Sequence, residues 1–93
     1  MPNASEANYE QAIIALQQYQ KKLLEVSDTM QSAVNQTDRN LQGDDNIRAI
    51  NQTLQKRIIK IHEASLIAKQ IALQLSLELE EIKKGQKKIY DND

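Results

Sequence analysis

The sequence predicts an all-α protein, an antiparallel two-helix hairpin that pairs into a four-helix bundle. Three observations predict it. Apolar residues recur at alternating steps of four and three through both halves of the chain, the spacing that gathers them on one face of a helix. Gln, Ala, Leu, Ile, Lys and Glu dominate the composition, and most of these favour helix. The two periodic halves meet at one break, Asn40-Leu41-Gln42-Gly43-Asp44-Asp45-Asn46.

The break organises the rest. Gly43 is one of only two glycines, and glycine adopts the left-handed backbone that ends a helix without steric cost. Asp44 or Asp45 can cap the next helix by accepting its free N–H groups, with a charge that suits the positive end of the helix. The expected layout is one domain over residues 1–93: a helix at 5–39, a turn at 40–46, a helix at 47–84 and a short tail at 85–93.

Asn3 or Ser5 can cap the first helix, and Glu6 follows Asn3 at capping-box spacing. From there a stripe runs Tyr9, Ile13, Leu16, Gln20, Leu23, Ser27, Met30, Val34, Thr37 and Leu41. Ala12, Tyr19, Val26 and Ala33 widen it on one side at seven-residue steps, the pattern of a helix burying one long face. The segment Asn35–Asn40 is polar and rich in poor helix formers, so fraying is expected there.

After the break the stripe resumes as Ile47, Asn51, Leu54, Ile58, Ile61, Ser65, Ala68, Ala72, Leu75, Leu79 and Ile82. Leu73-Gln74-Leu75-Ser76-Leu77-Glu78-Leu79 alternates strictly, which is a strand signal. The residues are not β-branched, no turn bounds them and no second strand is available, so helix is the better reading. In a helix, Ile59, Leu66, Leu73 and Leu77 then fall roughly opposite the stripe. A hairpin buries only one of the two faces, so these four residues are the expected partner interface. Lys83, Lys84, Lys87 and Lys88 surround Gly85, favourable charge at a helix C-terminus with glycine as a terminator or weak point.

Chemistry is sparse. There is no cysteine, one histidine and a net charge of −1, which argues against a thiolate site and against general nucleic-acid binding. Three tyrosines are the only aromatics, too few for base-stacking platforms. His62 and Glu63 are adjacent and so point about 100° apart on a helix, which makes neither an acid–base pair nor a metal cluster. No phosphate loop or nucleophile elbow is present. The expectation is a non-enzymatic protein with no catalytic residue, metal or cofactor. No apolar run approaches the about 20 residues that span a bilayer, so no membrane insertion is expected. Met1-Pro2-Asn3-Ala4-Ser5 is not a basic segment leading into an apolar one, so export would use a route independent of a signal peptide.

Two long helices joined by Asn40-Leu41-Gln42-Gly43 resemble the Trp-x-Gly (WXG, ESAT-6-like) family of small type VII secretion substrates. Leu41 stands where that family has Trp, and Gly43 where it has Gly. The family's export signal is Tyr-x-x-x-Asp/Glu, whereas this chain ends Tyr90-Asp91-Asn92-Asp93, with the last acid three residues after the tyrosine. These departures are similar to a subgroup of helical proteins that pair with the helical N-terminal domain of LXG-type toxins in Gram-positive bacteria. The resemblance implies a protein held in the cytoplasm before export, and then secreted as a dimer or bound to its effector as a targeting factor. It also implies a helical partner: an LXG-type effector, another WXG-like protein or a second copy in a homodimer. A cytosolic helical chaperone or immunity-type protein with no export role is the alternative. A third reading, a structural coiled coil, would run one unbroken helix through Gly43. The residues alone do not choose between homodimer and heterocomplex, and they do not identify the effector.

Overall fold

The computed structural model describes residues 4–91, with side chains for 5–85. Two helices account for it. Helix α1 spans Ala4–Asn40 (37 residues) and helix α2 spans Asp45–Asp91 (47 residues). They pack side by side as an antiparallel hairpin, a rod of 75 × 17 × 15 Å. No strand occurs among the described residues, and Leu73–Leu79 is helical. Packing along the helix axis therefore overrides the local alternation.

The turn is built from the residues expected to build it. The Leu41 N–H donates to the Thr37 carbonyl at 2.9 Å, and the Asp44 N–H donates to the Leu41 carbonyl at 3.2 Å. Gly43 sits at φ 87°, in the left-handed region. Asp44 is the cap of α2: its carboxylate accepts from the N–H groups of Asn46 at 2.9 Å and Ile47 at 3.1 Å. Asp45 is the first residue of α2, and its carboxylate lies 3.7 Å from the Arg48 guanidinium.

Both stripes face inward. In α1 every stripe residue from Tyr9 to Thr37 is buried or half-buried, and only Leu41, 49% exposed at the turn, stays outside. In α2 the whole stripe from Ile47 to Ile82 is covered. The fully covered apolar residues are few: Val34, Ile58, Ala68, Ala72 and Leu79. Small side chains let the helices approach closely, and Ser27 and Ser65 are buried with them.

The boundaries differ from the sequence expectation in three places. Helix α1 does not fray over Asn35–Asn40 but stays helical to Asn40. There Thr37 bonds back to the Ala33 and Val34 carbonyls, and Asn51 of α2 holds Thr37 and Asp38 across the seam. Ser5 lies inside α1, which starts at Ala4, so it is not the cap. Asn3 falls outside the described residues. Finally, α2 does not stop at residue 84: it continues through Gly85 to Asp91, so the short tail placed at 85–93 is largely helix. Gly85 is not in the left-handed region, where the Gly43 turn is. A glycine weakens a helix by about 1 kcal/mol relative to alanine, which a long helix absorbs.

Candidate partner-binding surfaces

Polar groups fasten the seam at intervals. Near the turn, the Asn51 amide donates to Thr37 Oγ1 at 3.0 Å and also to the Asp38 carboxylate. At mid-rod the Ser27 hydroxyl and His62 Nε2 share a hydrogen bond of 2.6 Å. At the open end the Tyr9 hydroxyl donates to Glu78 at 3.1 Å, and Lys83 lies 3.5 Å from Glu10. The Tyr9 phenol is pushed above its ordinary pKa of 10.0, first by that hydrogen bond, then by the negative charge of Glu78 and then by burial.

A serine bonded to a histidine invites a nucleophilic reading, and the geometry does not suit one. Ser27 is only 2% exposed, so its hydroxyl faces the opposite helix rather than a substrate. The pair is an interhelical fastening. Sequence reasoning compared His62 only with its neighbour Glu63. The actual partner lies 35 positions away and becomes visible only when the two stripes are set in register. Among the described residues, no group of three or more His, Cys, Asp or Glu side chains is placed to hold a metal ion. No helix there is long and apolar enough to cross a membrane. Lys83 and Lys84 are engaged by Glu10 and Glu81, at 3.5 and 3.8 Å, in exposed pairs that contribute little stability.

The surface is more telling. Ile59, Leu66, Leu73 and Leu77 lie on the outer side of α2 and are 58, 54, 61 and 50% exposed. They form one row because Ile59, Leu66 and Leu73 follow at seven-residue steps, with Leu77 one turn further on. A compact monomer of this size would expose about 5,500 Å², whereas this chain exposes 7374 Å².

A second apolar surface was not foreseen. Ala12, Tyr19, Val26 and Ala33, expected to widen the buried stripe, are all exposed. So are Ile67 and Ile71 of α2. The helices meet along a seam too narrow to reach these flanks, because small and polar residues draw the backbones together. Of the turn residues, Leu41, Gly43, Asp44 and Asp45 form one structural unit at the closed end of the rod. Of the expected export tail, Asp93 lies outside the described residues, as does the side chain of Tyr90. The chain matches no family model, no curated protein and no solved structure.

Proposed function

We propose that this protein is a non-enzymatic adaptor of a bacterial type VII secretion system, binding the helical N-terminal domain of an LXG-type toxin along the outer side of α2. The observation that carries this reading is the exposed row Ile59, Leu66, Leu73 and Leu77. It runs for about five turns along α2, which suits another helix laid alongside it and not a small molecule. The hairpin with Leu41 and Gly43 at its turn supports the same reading through its resemblance to the Trp-x-Gly family. In this role the adaptor covers apolar surface on the toxin in the cytoplasm, and the complex is delivered to the secretion machinery.

The test is co-expression with the helical N-terminal domain of an LXG toxin from the same genome, with and without Leu66→Glu and Leu73→Glu together. A stoichiometric complex is expected for the native chain, and no complex for the double variant, which stays helical by circular dichroism. Failure of every such domain to bind, or binding indifferent to both changes, would overturn the reading. A complex that forms but never reaches the culture medium identifies the cytosolic chaperone role instead.

A further inference from the structure

Charge is not spread evenly along α2. Residues 46–62 hold Arg48, Lys56, Arg57 and Lys60 and no acid. Arg48 is engaged by Asp45 at 3.7 Å. Lys56, Arg57 and Lys60 make no ion pair among the described residues. Lys56 and Lys60 are four residues apart, so they sit one above the other on the helix and repel. Arg57 adds a third cation one residue along.

These three cations rim an open groove of about 550 Å³ beside the seam. Its floor is Met30 of α1 and Ile61 of α2, both half-buried, and Thr53 completes the lining. Val26 and Ala33 stand on the same flank of α1, are exposed, and bring no charge to it. Asp28 of α1 lines a separate polar groove with Gln31, Asn35 and Arg39. The groove is therefore an apolar floor under a positive rim whose repulsion nothing in the described chain relieves. Methionine suits such a floor, because its unbranched side chain adapts to what enters.

The shape selects among anionic occupants. A floor of two side chains open to water cannot enclose a small molecule as ligand pockets do. An anionic bilayer is flat and would meet the whole edge of the rod. On that edge Glu78 follows Arg57 by 21 residues, about 30 Å along the helix, and Glu81 lies one turn beyond, so the same contact that attracts the rim would repel this end. A short segment of protein covers the groove alone. It can place one large apolar side chain on Met30 and Ile61 and set carboxylates against the rim, as charge-assisted hydrogen bonds require.

We infer that this groove is a docking site for an acidic amphipathic segment of a partner protein, its apolar side chain seated on Met30 and Ile61 and its carboxylates held by Lys56, Arg57 and Lys60. The groove uses none of Leu66, Leu73 and Leu77, so the inference stands apart from the effector-binding row. Its rim gives selectivity by charge and speeds association with acidic segments.

The test needs no natural partner. The probe is a synthetic amphipathic peptide of leucine and glutamate, with a counterpart carrying lysine in place of glutamate. Met1 is the only other methionine, so a methyl-labelled methionine spectrum reads the groove directly through Met30. The glutamate peptide should shift the Met30 methyl resonance to saturation, and the lysine peptide should not. Lys56→Glu and Lys60→Glu together should weaken the glutamate peptide by tenfold or more and should let the lysine peptide shift Met30 instead. Raising the salt should weaken the native contact, since exposed charges are screened. Leu66→Glu with Leu73→Glu should leave it unchanged, which separates this site from the outer side of α2. Circular dichroism checks that each variant remains helical. A Met30 resonance that neither peptide moves, or a shift indifferent to the charge reversal, would overturn the inference. So would a Met30 shift produced by phosphatidylglycerol vesicles and not by the glutamate peptide, which would assign the groove to a membrane surface.

Discussion

Gly43 and Gly85 are the only glycines in the chain, and the backbone uses them in opposite ways. Gly43 holds φ at 87°, and no atom lies within 4 Å of where a Cβ would stand, so its constraint is torsional and not steric. Gly43→Ala should destabilise by about 1 kcal/mol, and valine by more, seen as a lower urea midpoint at unchanged slope. Gly85 lies in helix with open space around it, so Gly85→Ala should stabilise by about 0.5 kcal/mol, less than the full mid-helix difference because the helix end is near. Tyr9 provides a test by pH. Its raised pKa means the folded chain holds the phenolic proton more tightly than the unfolded chain does. The stability that follows is complete below pH 10.0 and is lost as the pH rises through the higher folded value. A tyrosinate absorbance titration should show one phenol ionising late, and Tyr9→Phe should remove that step while flattening the alkaline fall in stability.

At the scale of the helix, the four-three stripes were legible because each sums over many turns, so single polar members such as Gln20 or Asn51 do not hide the period. The turn was legible because glycine followed by two aspartates satisfies both helix ends at once. Gly85 misled because a glycine flanked by lysines looks the same whether a helix stops there or continues. The flank of Ala12, Tyr19, Val26 and Ala33 was assigned to the core because a heptad step on one helix does not say how wide the seam is. That width depends on the small side chains buried along it, Ser27 on α1 and Ser65, Ala68 and Ala72 on α2. Asn51 tests what such polar members do. It is buried, yet Thr37 keeps its own bonds to the Ala33 and Val34 carbonyls, and Asp38 is exposed to water. Asn51→Leu therefore orphans little, while a buried leucine is worth about 1.5–3 kcal/mol against about 0.5–1.5 for the lost hydrogen bonds. A net gain of about 1 kcal/mol is expected in urea denaturation. The cost should be register: paramagnetic distance measurements between the helices should sharpen around one value in the native chain and broaden in the variant.

For the molecule as a whole, shape sets the energetics. A rod one helix thick on each side has no residue far from water, and its fully covered apolar set is confined to Val34, Ile58, Ala68, Ala72 and Leu79. Three of these are valine or alanine, so each contributes little area. Ordering the backbone costs roughly 1–2 kcal/mol per residue, a cost that small domains offset only narrowly. Meanwhile Tyr19, Ile67 and Ile71 on one edge, and Leu66 and Leu73 on the outer side of α2, remain half or more exposed or nearly so. Covering an edge by association adds apolar burial without ordering a further loop, so folding and pairing should be coupled. The melting temperature should then depend on concentration. For a folded dimer in equilibrium with unfolded chains, raising the concentration a hundredfold adds about 2.7 kcal/mol to the dimer, and a domain of this length gains several degrees from each kcal/mol. Calorimetric scans at about 2 and 200 μM should differ by that several-degree margin. Scans that superimpose across the whole range would mean the single hairpin is stable without a second copy.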